Sequence, residues 1–316
     1  MTGTAHAQLY TAAEASRLAQ ALLAFLGRKN GIRVLAIKGE TASLEGLRPP
    51  KASSDADVLV DPAEFDALLG VLAEQGWHPR LVPLEPNVVS PHSVALVNAD
   101  WPCDIDVHRH YPGFLESSAK VFEELWAHRT VLRIADSEVE SVGRAGGLLI
   151  LALHDLRAPH AAGSAERLAT LATTALETFD RAELVEVVAL ARSTRAVEPA
   201  RDFLSSLGFA PAAQLPVGNE LSEWRALTHS PNRTILWLRE LGRVPLRSKP
   251  RVLWHALVSS EPELRAQHSG VGAGAPALLV LRLKRIAGGV RALPKAVRAL
   301  AADRLAERSR RRRSPR

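Results

Sequence analysis

An α+β domain followed by a helical region is the fold class that this 316-residue chain predicts, on three observations. Up to residue 108 the apolar spacing runs helix, strand, helix, strand, helix, and then a strand meander. From about residue 144 the spacing is almost wholly helical. Within the first part stands Ser54-Asp55-Ala56-Asp57-Val58-Leu59-Val60, an apolar strand opened by two aspartates. This order argues for a mixed sheet of modest size rather than a doubly wound parallel one.

Residues 7–29 read as an amphipathic helix, with Leu18, Ala21, Leu22, Phe25 and Leu26 at helical spacing and Asn30-Gly31 as the stop. Ile32 to Ile37 is a β-branched-rich strand that runs into Lys38-Gly39, and a short helix extends to Leu47. Arg48-Pro49-Pro50-Lys51-Ala52-Ser53-Ser54 is a loop before the Asp55 strand. Asp61-Pro62 places an N-cap before a proline at the first helical position. The helix it opens carries Phe65, Leu68, Leu69 and Leu72 on one face and stops at Gly76. Strands are expected at about 77–84, 92–99 and 102–108, with a turn at Asn98-Ala99-Asp100-Trp101-Pro102. Residues 118–128 read as helix and Val131 to Ile134 as an edge strand. Leu148 to Leu156, 165–178, 181–193, 197–207 and 219–241 are the later helices.

The division expected is 1–140 for the α+β domain and 141–265 for the helical domain. Residues 266–316 hold a small-residue linker, a basic amphipathic helix from Leu278 to Leu305 interrupted at Pro294, and an Arg-rich end. The net charge of +6 hides an asymmetry. Residues 282–316 hold 13 Lys and Arg against Asp303 and Glu307, a net +11; the other 281 residues, with 27 basic and 32 acidic side chains, carry −5. The basic balance is therefore no evidence that the folded body binds nucleic acid. No run of about 18 apolar residues exists, so no spanning helix is expected. A start without a basic and then apolar stretch, and a single cysteine, Cys103, point to the cytoplasm.

Side chains two apart on a strand share a face, so Asp55 and Asp57 project together. Aspartate is disfavoured in strands. A solvated strand face would account for one such residue; two, one pleat apart at the head of an apolar strand, call for a cation. Hard carboxylate oxygens suit Mg²⁺, which commonly accompanies nucleotide phosphates. Asp104, Asp106 and His108 share one face of the 102–108 strand, so Asp104 or Asp106 can supply a third carboxylate to a two-metal centre. Reading Asp106-Val107-His108-Arg109-His110 as a transition-metal site is weaker, for want of a second histidine cluster. Lys38-Gly39, where a strand meets a helix, lets a phosphate approach the backbone. Arg48, Lys51, Ser53 and Ser54 are donors that a triphosphate needs.

Taken together, strand-Lys-Gly, a basic loop, Ser-Asp-x-Asp and then Asp-apolar-His resemble the poorly characterised branch of the polymerase-β-like nucleotidyltransferase superfamily, over about residues 31–110. The resemblance implies a minimal nucleotidyltransferase fold, two Mg²⁺ ions, and transfer of a nucleoside monophosphate from an NTP to a hydroxyl acceptor. By position it implies Asp55, Asp57 and Asp106 as catalytic metal-binding carboxylates, Asp106 being preferred over Asp104 because it precedes the apolar-His pair. Lys38, Gly39, Lys51, Ser53 and Ser54 fall at the nucleotide. One departure stands out: Glu40 follows Gly39 where the superfamily commonly has serine, and a carboxylate facing inward would repel a phosphate. The acceptor is a small molecule, a protein side chain or an RNA end. Alternatives are a non-catalytic binding or regulatory module of the same fold, and a nucleic-acid-associated protein acting through its tail.

Gly270-Val271-Gly272-Ala273-Gly274-Ala275 fits a dinucleotide pattern on paper but has no strand before it, so it reads as linker. His154-Asp155 on an apolar helix offers an acid/base pair on paper, but adjacent helical residues point about 100° apart, so it reads as a packed histidine. Cys103, Trp77, Trp101 and Trp126 read as core or rim. The charged end offers an anionic partner, RNA or a membrane surface, a salt-sensitive contact. Truncation after Pro276 is expected to remove salt-sensitive binding to RNA or anionic vesicles while leaving Mg²⁺ and nucleotide binding intact, as read by vesicle co-sedimentation and nucleotide titration.

Overall fold

The structure, a computed structural model, describes residues 10–80, 92–210, 212, 220–229, 237–238, 241–242, 244–257, 279–280, 283–284, 286–298 and 301. It has the α+β architecture expected: a mixed sheet flanked by helices. The strands are β1 (Val34–Ala36), β2 (Asp55–Val60), β3 (His78–Pro79), β4 (Ser93–Val97), β5 (Asp104–His108), β6 (Thr130–Ile134) and β7 (Ser137–Ser141). Their order in the sheet is β3-β4-β5-β2-β1-β7-β6. Helices α1 (Ala12–Asn30), α2 (Gly39–Leu44), α3 (Phe65–Glu74) and α4 (Ser118–Ala127) interleave with the strands. They are followed by α5 (Gly143–Leu156), α6 (Ser164–Thr178), α7 (Arg181–Ser193), α8 (Arg201–Ser206), α9 (Glu220–His229) and α10 (Lys249–Leu257).

Register decides what the centre of the sheet presents. β2 lies antiparallel to β1, pairing Ala36 with Val58, and parallel to β5, pairing Asp55 with Asp104 and Asp57 with Asp106. The two Asp-x-Asp segments thus run side by side with their aspartates on one face. Ala56, Val58 and Val60 of β2 and Ile105 and Val107 of β5 take the opposite face. There they pack with Ala15, Ala19, Leu23 and Leu26 of α1 and Phe65, Leu68 and Leu72 of α3 in one buried cluster. Burying each large apolar side chain of such a cluster contributes about 1.5–3 kcal/mol. Because the side-chain period is two, one apolar face sends every aspartate of β2 and β5 to the other.

Helix α1 is bounded as its sequence dictates. Thr11 and Glu14 form a reciprocal capping box, and Gly31, at φ 67°, closes the helix in the left-handed region. Ser16 on its buried face donates to the Asp55 carbonyl at 2.6 Å, tying α1 to the strand that carries the paired aspartates.

Several elements differ from the sequence reading. Helix α3 starts at Phe65 rather than at Pro62. Asp61 instead accepts from the Ala63 amide at 3.0 Å and pairs with Arg33, closing a local turn. β7 is a strand the sequence did not announce: Ser137-Glu138-Val139-Glu140-Ser141 looks polar, yet it pairs with β6 and meets β1 at Ser141. The buried Glu45 carboxylate accepts from Ser141 Oγ at 2.9 Å and Thr130 Oγ1 at 3.1 Å, anchoring that hairpin from the end of α2. Helix α5 begins at Gly143 instead of Leu148, and α8 at Arg201 instead of 197. Residues 286–298 are helical through Pro294, where a break or a kink was expected, and no break occurs there. The expected strand beyond Pro79, the Gly270–Ala275 segment and the Arg-rich end lie outside the described residues.

The chain divides into two compact units. The described residues of the first are 10–80 and those from 92 to Leu221, so the sheet and α5 to α8 belong to one unit that continues past residue 140. The second takes in the described residues from Ser222 on, including α10. Among the described residues no helix is long and apolar enough to cross a membrane.

Gly143 joins β7 to α5 at φ 72°, and a Cβ there would stand 2.5 Å from the His128 carbonyl oxygen. Gly143→Ala is therefore expected to destabilise the protein by more than about 1 kcal/mol, through a disfavoured φ and a clash with fixed backbone. Gly70→Ala, which meets nothing within 4 Å on α3, is the control. Urea midpoints of the two variants check this.

Candidate functional site

Asp57 is the centre of the site. It is 3% exposed, on the sheet face opposite the α1 cluster. Its Oδ1 receives the Lys38 ammonium in an ion pair and the His108 Nε2 at 3.1 Å. The same Nε2 lies 3.1 Å from Asp106 Oδ2. Asp57, Asp106 and His108 are the described residues whose ligating atoms gather closely enough for a metal ion, all within 4.8 Å of one another. Both carboxylates and the imidazole come from β2 and β5, and the parallel register of those strands produces the grouping.

Lys38 reaches Asp57 from the end of β1, through a backbone with φ 56° and ψ −145°. That combination lies close to a region occupied almost only by glycine, and for lysine such strain amounts to about 1–3 kcal/mol. Gly39 follows at φ 44°, so two consecutive residues take the left-handed sign as the strand turns into α2. The Lys38 side chain is mostly buried, and its Nζ lies 5.7 Å from the Tyr111 ring centre. The strain is held by an ion pair whose loss would leave a buried carboxylate without its main counter-charge.

The electrostatics follow from burial and pairing. Burial pushes Asp106 upward, but the hydrogen bond from His108 and contacts with Ser93 and Lys38 outweigh it, and the group stays well below the usual carboxylate range. Burial opposes the charge on His108, while Asp106 and Asp57 raise its proton affinity above the ordinary imidazole value. Asp106 Oδ1 and His108 Nδ1 are buried with no hydrogen-bond partner. An orphaned carboxylate oxygen beside two paired ones fits a hard cation or a hydroxyl as the missing partner.

The other sequence-derived candidates stand as follows. Asp55 shares the Asp57 face one pleat away, accepts from Ser53 Oγ at 2.8 Å, and lies outside the metal-competent group. Asp104 pairs with Arg80, which leaves Asp106 as the β5 carboxylate beside Asp57. Arg48 donates to the Gly39 carbonyl at 2.8 Å, and its Nε is buried and unpartnered. Lys51 and Ser54 are exposed at the end of that loop. Glu40 forms an ion pair with Arg17 at 3.4 Å, so its charge is met by α1. Gln20, 1% exposed, has both amide atoms unpartnered, and its Nε2 would lie 3.4 Å from a Cβ on Gly39.

A wall of aromatic and basic side chains beside this group escaped the sequence reading. Tyr111, fully buried, lies 5.5 Å from the His108 ring and 3.4 Å, oxygen to nitrogen, from His154 Nδ1. His92 lies 5.8 Å from the His108 ring and accepts from Arg157 Nη1 at 3.2 Å. His154, read as a packed histidine, is half-buried and faces the site through Tyr111, while its neighbour Asp155 pairs with Arg167. His108 was visible as a residue two positions after Asp106 on the same face. Tyr111, His92 and Arg157 carried no such signal, because a loop and the end of α5 bring them in from outside the motif, and His154 drew attention only as a packed histidine.

No family model matches the chain, and no curated protein matches it. Among solved structures it is similar to an antigenic nucleotidyltransferase-like protein from Paracoccidioides brasiliensis, with a TM-score of 0.37 and 13% identity, over 69% of this chain and 98% of that one. The functional reading therefore stands on the constellation of carboxylates, lysine and histidine itself.

Two histidines of the wall bind protons weakly. Burial, reinforced by Arg157, holds His92 down to about 3 and His154 to about 4. The unfolded chain binds more protons at these positions from about pH 6.5 downward. Their contribution to stability is full above that pH and is lost as pH falls toward the folded values. Between pH 7 and pH 5 these two groups act to lower the urea midpoint, so His154→Gln is expected to lose less stability over that range than the wild type, as paired urea titrations at the two pH values would show.

Proposed function

We propose that this protein is a divalent-metal-dependent nucleotidyltransferase, which moves a nucleoside monophosphate from an NTP to a hydroxyl of an acceptor. The observation that carries this reading is the convergence of Asp57, Asp106 and His108 beside Lys38 at the strained strand-to-helix turn. Mg²⁺ is the ion expected from the sequence, held by Asp57 and Asp106 with Asp55 close by. When bound it would supply positive charge to the phosphate oxygens.

The chain's own groups account for the remaining demands. The Lys38 ammonium, freed from or shared with Asp57, offsets charge on the triphosphate. Gly39 lets the phosphates near the backbone, and Arg48 and Ser53 line the approach from the loop before β2. The acceptor hydroxyl attacks the α-phosphorus in line, the bond to the β-phosphate oxygen breaks, and pyrophosphate leaves. Asp106, which carries one unpartnered oxygen on the site face, is the group placed to receive the hydroxyl proton. Asp55, Asp57 and Asp106 are the proposed catalytic carboxylates; Lys38, Gly39, Lys51, Ser53 and Ser54 are the proposed nucleotide contacts.

One observation favours a second reading, a nucleotide-binding module without catalysis. The Lys38 ammonium already supplies Asp57 with a counter-charge, so that carboxylate does not require an added cation. Labelled NTPs incubated with Mg²⁺ separate the two. Transferase chemistry releases pyrophosphate and labels an acceptor, whereas the module retains nucleotide unchanged. Asp57→Asn and Asp106→Asn are each expected to lower pyrophosphate release by about 10²-fold or more, a loss typical of removing one stabilising charge from a transition state. Wild-type rates in both variants would put the chemistry elsewhere.

A further inference from the structure

A site with imidazole nitrogen among its ligating atoms and a lysine on its central oxygen has different cation demands from one built of three carboxylates. On the metal-dependent reading above, we infer that the site binds a single divalent ion through Asp57 Oδ1, Asp106 Oδ2 and His108 Nε2. It prefers Mn²⁺ to Mg²⁺, and the Lys38 ammonium stands in place of a second ion.

The geometry carries the first part. His108 Nε2 is 3.1 Å from each of the two carboxylate oxygens. Adjacent corners of an octahedron with bonds of about 2.1 Å are separated by roughly 3.0 Å. Two of the three separations are therefore those of neighbouring ligands of one ion, and all three atoms lie within 4.8 Å of one another. An ion there would be held by the two carboxylate oxygens and the neutral imidazole nitrogen. Asp106 Oδ1 stays outside the ligand set, free for the acceptor hydroxyl. Imidazole is a better ligand for Mn²⁺ and later transition metals than for Mg²⁺, which favours oxygen alone.

The second part rests on Lys38 and Asp55. A two-ion centre needs ions about 3.5–4 Å apart, bridged by a shared carboxylate. Asp57 is the carboxylate placed to bridge, and the oxygen it turns to His108 also receives the Lys38 ammonium. Asp55, the other expected ligand, is engaged by Ser53. Lys38 is set there by its backbone and by the Tyr111 ring 5.7 Å away, and its side chain is largely shielded from solvent. Its positive charge occupies the place of the second ion.

Titration of the nucleotide-free full chain with Mn²⁺, counting free ion by electron paramagnetic resonance, tests this. One Mn²⁺ per chain is expected, displaced by Mg²⁺ only at about tenfold or greater excess, given the nitrogen ligand. Pulsed spectra of the bound ion should show coupling to a directly ligated ¹⁴N, lost in His108→Gln. Lys38→Gly, which suits the positive φ and removes the ammonium, should take up a second ion. Two ions in the wild type, a bound ion without ¹⁴N coupling, or a Lys38→Gly protein that still holds one would each overturn the inference while leaving a metal site in place. If neither wild type nor Lys38→Gly binds Mn²⁺ or Mg²⁺, the metal-dependent reading falls, and this inference with it.

Discussion

A carboxylate 3% exposed in the middle of a sheet must be matched by positive charge or by donors, and Asp57 is that carboxylate. Breaking a buried ion pair by removing one partner costs about 3–5 kcal/mol, because the remaining charge is stranded. Lys38 and His108 meet the demand from two directions, one from the end of β1 and one from the end of β5. The strained turn at Lys38, the parallel pairing of β2 with β5, and the placing of Tyr111 against both partners follow from this single requirement. The ion pair also explains why a lysine persists where glycine would be free of strain.

The site is positioned by an apolar layer it never touches. Helices α1 and α3 bury the face of the sheet's centre that carries Ala56, Val58, Ile105 and Val107, and that burial orients every aspartate of β2 and β5. Ser16, bonded to the Asp55 carbonyl, and Gln20, buried beside Gly39, carry polar groups of α1 to the site's margin. Arg17 on the same helix neutralises Glu40, the residue that departs from the resembled pattern. A phosphate near Gly39 would thus meet a paired carboxylate rather than a bare one. Around Asp57 lies a mixed environment: charge in the centre, held by neutral aromatic and imidazole groups whose burial and proximity to Arg157 disfavour further positive charge.

Much of this could be read from the chain before any coordinates. Period-two alternation in Asp55-Ala56-Asp57-Val58 and Asp104-Ile105-Asp106-Val107 stated both strands and their common polar face. Apolar residues at helical spacing from Leu18 to Leu26 and the stop at Asn30-Gly31 stated the first helix. The strand meander and the later helices were legible because their apolar spacing is regular. Elements whose local signal is weak or opposed were not. Ser137–Ser141 becomes a strand because β6 and β1 pair with it, and Pro62 stays outside α3 because Asp61 is drawn to Arg33.

By itself, then, the sequence determined the α+β class, the central strands, the carboxylates at their heads and the lysine-glycine turn, since each is a local pattern of period, charge or backbone preference. Only tertiary structure decided which carboxylates meet. Strand register sets Asp106 beside Asp57, an arginine 24 residues upstream takes Asp104, and a serine hydroxyl takes Asp55. It also decided that His108 and Lys38 share one oxygen of Asp57, and that Tyr111, His92, His154 and Arg157 surround them. Those contacts join residues as far apart as Lys38 and Tyr111, 73 positions along the chain. No local preference encodes them, because they exist only once burial of the opposite face has fixed the sheet.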